Sequence, residues 1–105
     1  MSKELWTISE VLEILQINDS FLASLEREEI VCPICHEDSS VKLFSAGELE
    51  KVRLAKILVE EMEVNLPGVE VILRMRQNMI NMRRQFDAVL EDLAQHLKDA
   101  PQRRP

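Results

Sequence analysis

Residues 30–38 read "IVCPICHED", and its two cysteines around Pro33, with His36 directly after Cys35, are the chain's best candidates for chemistry. Three readings compete: a structural zinc site, a thiol redox centre, or thiols with no chemical task. A structural zinc takes four ligands. The chain offers Cys32, Cys35, His36 and the distant His96. His36 abuts Cys35 and is poorly spaced for the same ion. A redox thiol pair uses a helix N-terminus and an electropositive setting, whereas Glu28, Glu29, Glu37 and Asp38 flank this pair. What remains is a pair of free, partly buried thiols, with a zinc shared between two copies left open. No metal or other cofactor is assigned. Tyrosine is absent, histidines number 2, and there is no glycine-rich phosphate loop. Without a nucleophile, a base and an orienting group in reach of one another, no catalytic constellation can be nominated, and the chain is expected not to be an enzyme.

The elements around this stretch are mostly helical. Across 105 residues, 46% are hydrophobic, only 4% are aromatic and only 2 are glycine. That composition favours helix and disfavours a sheet-rich fold with many tight turns. "WTISEVLEIL" reads as a first helix, capped by Thr7 or Ser9, with Ile8, Val11, Leu12 and Leu15 on one face. After the polar break "QINDS", Asp19 or Ser20 can cap a second short helix, "FLASLEREE". Two short helices around a tight turn give a helix-turn-helix outline. Ile30 and Val31 can open a strand that "VKLF" returns, a β-hairpin wing with Pro33 confining its first strand to an edge. Ser45 then caps "AGELEKVRLAKILVEEM", with Glu48 at the reciprocal capping-box position. "VNLPG" ends that helix, and Pro67 suits the first position of the next.

The last helix runs roughly from Pro67 to Leu97. Its Ile72, Met75, Met79, Met82, Phe86, Val89 and Leu93 step by three and four, a heptad seam that predicts a coiled coil. The seam is too long for so small a front domain to cover, so these seven residues are assigned to homodimerisation. The organisation expected is a winged helix-turn-helix domain over residues 1–65 and a long dimerisation helix with a basic tail over 66–105. No apolar run reaches a membrane-spanning length and no signal-peptide pattern opens the chain. A soluble, cytoplasmic protein is expected.

Charge decides between partners. Residues 1–65 carry 6 Lys/Arg against 14 Asp/Glu, and residues 66–105 carry 7 against 5. So acidic a front half repels a phosphate backbone.

The order of parts resembles the MerR superfamily of winged helices. "WTISEVLEIL" is similar to that family's first helix, "LEREEIVCP" to its "YEREGLLxP" segment, and "VKLFSAGELEKVRLAKIL" to its return strand "YRLYS" and the helix after it. "VNLPGVEVILRM" with the long helix looks most like the CbpM-type chaperone modulators, with the heat-shock repressor branch next. The resemblance covers roughly residues 5–97. It places Pro33 at the proline that leads into the wing, so that "CPIC" is two thiols flanking a structural proline. It also implies a place for base reading, and there this chain departs from the pattern. Where DNA-binding relatives resemble "TLRYYEREGL", this chain has "FLASLEREEI", with Ala23 for the arginine, Ser24 and Leu25 for the tyrosines and Glu29 for the glycine. Arg27 is the only cation left there, expected to pair with carboxylates of its own helix, and Lys42 is the only one in the wing. Binding that must neutralise several phosphates has little to work with.

The resemblance to CbpM-type modulators implies a protein that binds the J-domain of a DnaJ-like co-chaperone and restrains it. J-domains resemble one another in carrying a basic helix, so an acidic module could compete for it. The contact residues expected from charge are Asp19, Glu26, Glu28, Glu29, Glu37 and Asp38. The alternative is a DNA-binding regulator of the heat-shock repressor branch.

Overall fold

The computed structural model describes residues 4–35 and 41–99. The chain is mostly α: a winged helix-turn-helix followed by a long C-terminal helix. In order, its elements are β1 (Leu5–Thr7), α1 (Ile8–Leu15), α2 (Asp19–Arg27), β2 (Ile34–Cys35), β3 (Lys42–Ser45), α3 (Ala46–Glu60) and α4 (Leu66–Asp99). Among the described residues no helix is long and apolar enough to cross a membrane.

β1 was not expected. The opening "WT" pairs antiparallel with β3, Trp6 opposite Phe44 and Thr7 opposite Leu43, before the helix begins at Ile8. Three residues are too few to show an alternating pattern, so periodicity cannot separate them from the helix behind. β3 is thereby the central strand, in the order β1-β3-β2, and its Phe44 is fully buried. β2 is an edge that starts directly after Pro33 and pairs Ile34 with Leu43 and Cys35 with Lys42. Ile30 and Val31 do not belong to the strand. They are buried in the core just after α2, and the wing begins beyond them.

Local chemistry sets the helix ends. Thr7 and Glu10 form a full capping box on α1: Thr7 Oγ1 accepts from the Glu10 N–H (3.3 Å) and Glu10 Oε1 from the Thr7 N–H (2.9 Å). The cap of α2 is Asn18 rather than Asp19 or Ser20. Its Oδ1 accepts from the Phe21 N–H at 2.8 Å and from Ser20 Oγ at 2.9 Å. Asp19 instead occupies the first turn, where its charge faces the positive end of the helix dipole. α2 closes with a Schellman motif: the Ile30 N–H donates to the Leu25 carbonyl (2.9 Å) and the Glu29 N–H to that of Glu26 (3.0 Å). The left-handed residue such a motif requires is Glu29, at φ 58°.

Ser45 caps α3 as expected, accepting from the Glu48 N–H at 3.3 Å. Glu48 does not complete the box. Its Oε1 accepts from the Cys32 N–H (3.3 Å) and from Lys51 Nζ (3.3 Å), which ties the start of the wing to α3. Lys51 Nζ also stands 3.1 Å from Glu48 Oε2, but that buried oxygen receives no hydrogen bond among the described residues. At the head of α4, Asn65 Oδ1 accepts from the Gly68 N–H at 2.8 Å, so Leu66 opens the helix and Pro67 is second. A Cβ on Gly68 would lie 2.7 Å from Val64 Cγ1, so a larger residue here must displace the Val64 side chain.

The chain divides into two compact units, the first ending at Ile72 and the second beginning at Leu73. The core of the first gathers Val11, Leu22, Leu25, Val31, Phe44, Val52, Ala55 and, from the opening of α4, Val69. The second carries the rest of α4.

Candidate functional site

In a winged helix the second helix and the wing form the reading surface. Here α2 buries Leu22 and Leu25 and turns Ser20, Ala23 and Arg27 outward. That outward face is small and carries a single cation, Arg27. Arg27 donates to Ser24 Oγ at 3.3 Å, and Ser24 Oγ donates to the Ser20 carbonyl at 2.9 Å. The carboxylate partner expected for Arg27 is not found among the described residues; a hydroxyl one turn back is. The wing presents Ile34 and Val41, 47% and 49% exposed.

Lys42 is the wing's single cation. Its Nζ lies 3.0 Å from Glu26 Oε1, with the glutamate side chain only 18% exposed. The pair joins β3 to α2 across sixteen residues of sequence, and no pattern along the chain announces it. Of the six acids expected to form one contact surface, Glu26 is therefore half-buried and already engaged. Asp19 is exposed at the start of α2, while Glu28 and Glu29 are exposed at its end. At 1.5 Å per residue the two groups stand roughly 13 Å apart along the helix. Glu37 and Asp38 lie outside the described residues, as does His36.

Cys32 is a free thiol and is exposed rather than partly buried. The Cys35 side chain is outside the described set. Among the described residues no three His, Cys, Asp or Glu side chains cluster as metal ligands. His96 lies far along α4, exposed, with Nδ1 3.0 Å from the Asp92 carbonyl oxygen.

The seven seam residues all lie open on the single chain, from 37% exposed at Ile72 to 68% at Met79. Val71, Leu90 and Leu97 are exposed beside them and widen the stripe. Charge along the same helix is segregated. Residues 73–84 hold four arginines and no acid, whereas residues 85–99 hold four acids and one lysine.

One feature of the first unit has no counterpart in the sequence reading. Where α1 ends against α3, a cavity of about 270 Å³ opens, lined by Ile14, Leu15, Gln16, Arg53, Lys56, Ile57, Glu60 and Glu61. Gln16, left-handed at φ 54°, turns the chain away there, and Lys56 Nζ donates to the Leu15 carbonyl at 2.8 Å. Arg53 donates twice to Glu50 (3.0 and 2.6 Å), and this hydrogen bonding, reinforced by the glutamate's charge, raises the guanidinium pKa further above its usual value.

No curated protein matches the chain. Residues 6–90, from β1 into the distal part of α4, match the model of the MerR HTH family regulatory proteins. That span covers most of the chain, and the chain belongs to the MerR HTH family of regulatory proteins.

Proposed function

We propose that this member of a regulatory family acts by binding a protein rather than DNA, and that it restrains a DnaJ-like co-chaperone by docking on its J-domain. The observation that carries the reading is the 3.0 Å pair between Lys42 and Glu26. It neutralises the wing's one cation from within. Arg27, the one cation of α2, is then nearly all the second helix has to set against phosphates. The exposed Ile34 and Val41 and the small outward face of α2 suit a polypeptide better than a polyanion. Asp19, Glu28 and Glu29 supply the negative charge that a basic helix of a J-domain would meet.

We further propose a homodimer along the α4 stripe. Side by side and parallel, two copies would set arginine-rich halves against each other. Antiparallel, each basic half meets an acidic one, and the helix dipoles oppose as well.

The test is calorimetry with the cognate J-domain. Glu28→Lys with Glu29→Lys should weaken binding at least tenfold in a chain whose circular dichroism is unchanged. Unchanged affinity removes this surface. A low-salt gel shift with the DNA upstream of the chain's own gene probes the alternative. Tight, sequence-selective retardation would establish a DNA-binding regulator instead.

A further inference from the structure

We propose that the cavity between the end of α1 and the second half of α3 is a docking site for a basic amphipathic segment of a protein partner, one large apolar side chain entering it and flanking Lys or Arg meeting its rim. Its apolar lining comes from Leu15, Ile57 and Ile14, the last 54% exposed although it lies in an amphipathic helix. At about 270 Å³ the cavity has room for a large side chain.

The sign of the occupant follows from the end of α3, since Lys56 already meets that of α1. α1 and α3 both finish at this cavity, and neither has a basic residue in its last turn. A helix C-terminus carries partial negative charge and favours a cation. Here α3 ends instead in Glu60 and Glu61, both exposed, their carboxylates without a hydrogen-bond partner among the described residues. The cations that also line the cavity are already committed, Lys56 to the Leu15 carbonyl and Arg53 to Glu50. Two carboxylates at the negative end of their own helix destabilise that helix in the free protein. An incoming Lys or Arg would relieve both, while Ile14, Leu15 and Ile57 take the neighbouring side chain.

The inference rests on the protein-binding reading in one respect, that the occupant is a polypeptide. It does not require a J-domain. The full-length chain, labelled with ¹⁵N, is titrated with a designed helical peptide bearing lysines on one face and leucines on the other. A counterpart with glutamate for lysine serves as control. The basic peptide should shift the amides of Ile14, Leu15, Gln16 and residues 53–61, and the acidic one should not. Ile14→Ser and Glu60→Lys with Glu61→Lys should each weaken basic-peptide binding at least fivefold, whereas Glu28→Lys with Glu29→Lys should leave it within twofold. Equal binding of both peptides, shifts confined to α4, or unaltered affinity in the Ile14 and Glu60/Glu61 variants would overturn the proposal. So would loss of self-association in Ile14→Ser by light scattering, which would assign the cavity to a second copy. Loss of J-domain binding in the Glu28/Glu29 variant alone would leave this site standing, and the converse also holds.

Discussion

Glu29→Gly should make this protein more stable. Glu29 sits at φ 58°, in the left-handed region, at the Schellman position that ends α2. For an L-residue that conformation costs about 1–2 kcal/mol, because Cβ crowds the following carbonyl. Glycine removes the crowding but loses about 0.5–1 kcal/mol more backbone entropy than alanine on folding. The side chain is exposed, so no packing is lost, and both backbone bonds of the motif, Glu29 to Glu26 and Ile30 to Leu25, survive the change. The net gain is about 0.5–1 kcal/mol, which for a domain of this size raises Tm by roughly 2–8 °C. Glu29→Ala is the decisive control. It deletes the same charge but keeps Cβ, so it reports any relief of repulsion near Glu28 and the negative end of α2. Urea midpoints of the three proteins, at one fixed chain concentration so that any oligomer contributes equally, should place glycine above alanine. Alanine stabilising as much as glycine would refute the strain argument and leave charge as the cause.

Further outcomes are expected at four other places in the chain. Gly68→Ala should destabilise by about 1–3 kcal/mol through overpacking against Val64, despite alanine's better helix propensity. Adding Val64→Ala should return part of that loss in a double-mutant cycle. Lys56→Met should cost about 1 kcal/mol in chemical denaturation by leaving the Leu15 carbonyl without its 2.8 Å donor, and amide exchange in the last turn of α1 should quicken. Glu26→Gln should cost no more than about 1 kcal/mol, since Lys42 is 43% exposed and water screens the pair, and it should measurably raise low-salt retention on heparin. Phe86→Lys with Met79→Lys should abolish self-association by sedimentation or light scattering. For an antiparallel pair of wild-type chains, the dimer Kd should rise as salt increases from roughly 0.05 to 0.5 M, whereas a parallel pair would tighten.

Much of this architecture could be read from the chain because its signals are local or repeat. The α4 stripe repeats over several turns, Pro33 stands immediately ahead of an edge strand, and Ser45 caps α3 where a serine before "AGELE" should. What escaped was short or long-range. β1 is three residues long and merges into the pattern of α1. Asn18, Asp19 and Ser20 are all good capping residues, and only backbone geometry selects the first. Glu48 matches a local capping box, yet its carboxylate reaches Cys32, sixteen residues back. The same holds for the candidate sites. The acids of α2 were visible as a charge run, but whether Glu26 faces solvent depends on where β3 brings Lys42. The cavity at Ile14 depends on Lys56 meeting Leu15 across forty-one residues, a distance over which periodicity carries no information.

The bridge from Glu26 to Lys42 couples two charges at one position. Any substitution that neutralises Glu26 acts twice, deleting an anion and releasing a cation toward solvent on the same face. One position thus sets two charges at once, and because both side chains lie outside the hydrophobic interior, the charge of this face can change while the core stays as it is.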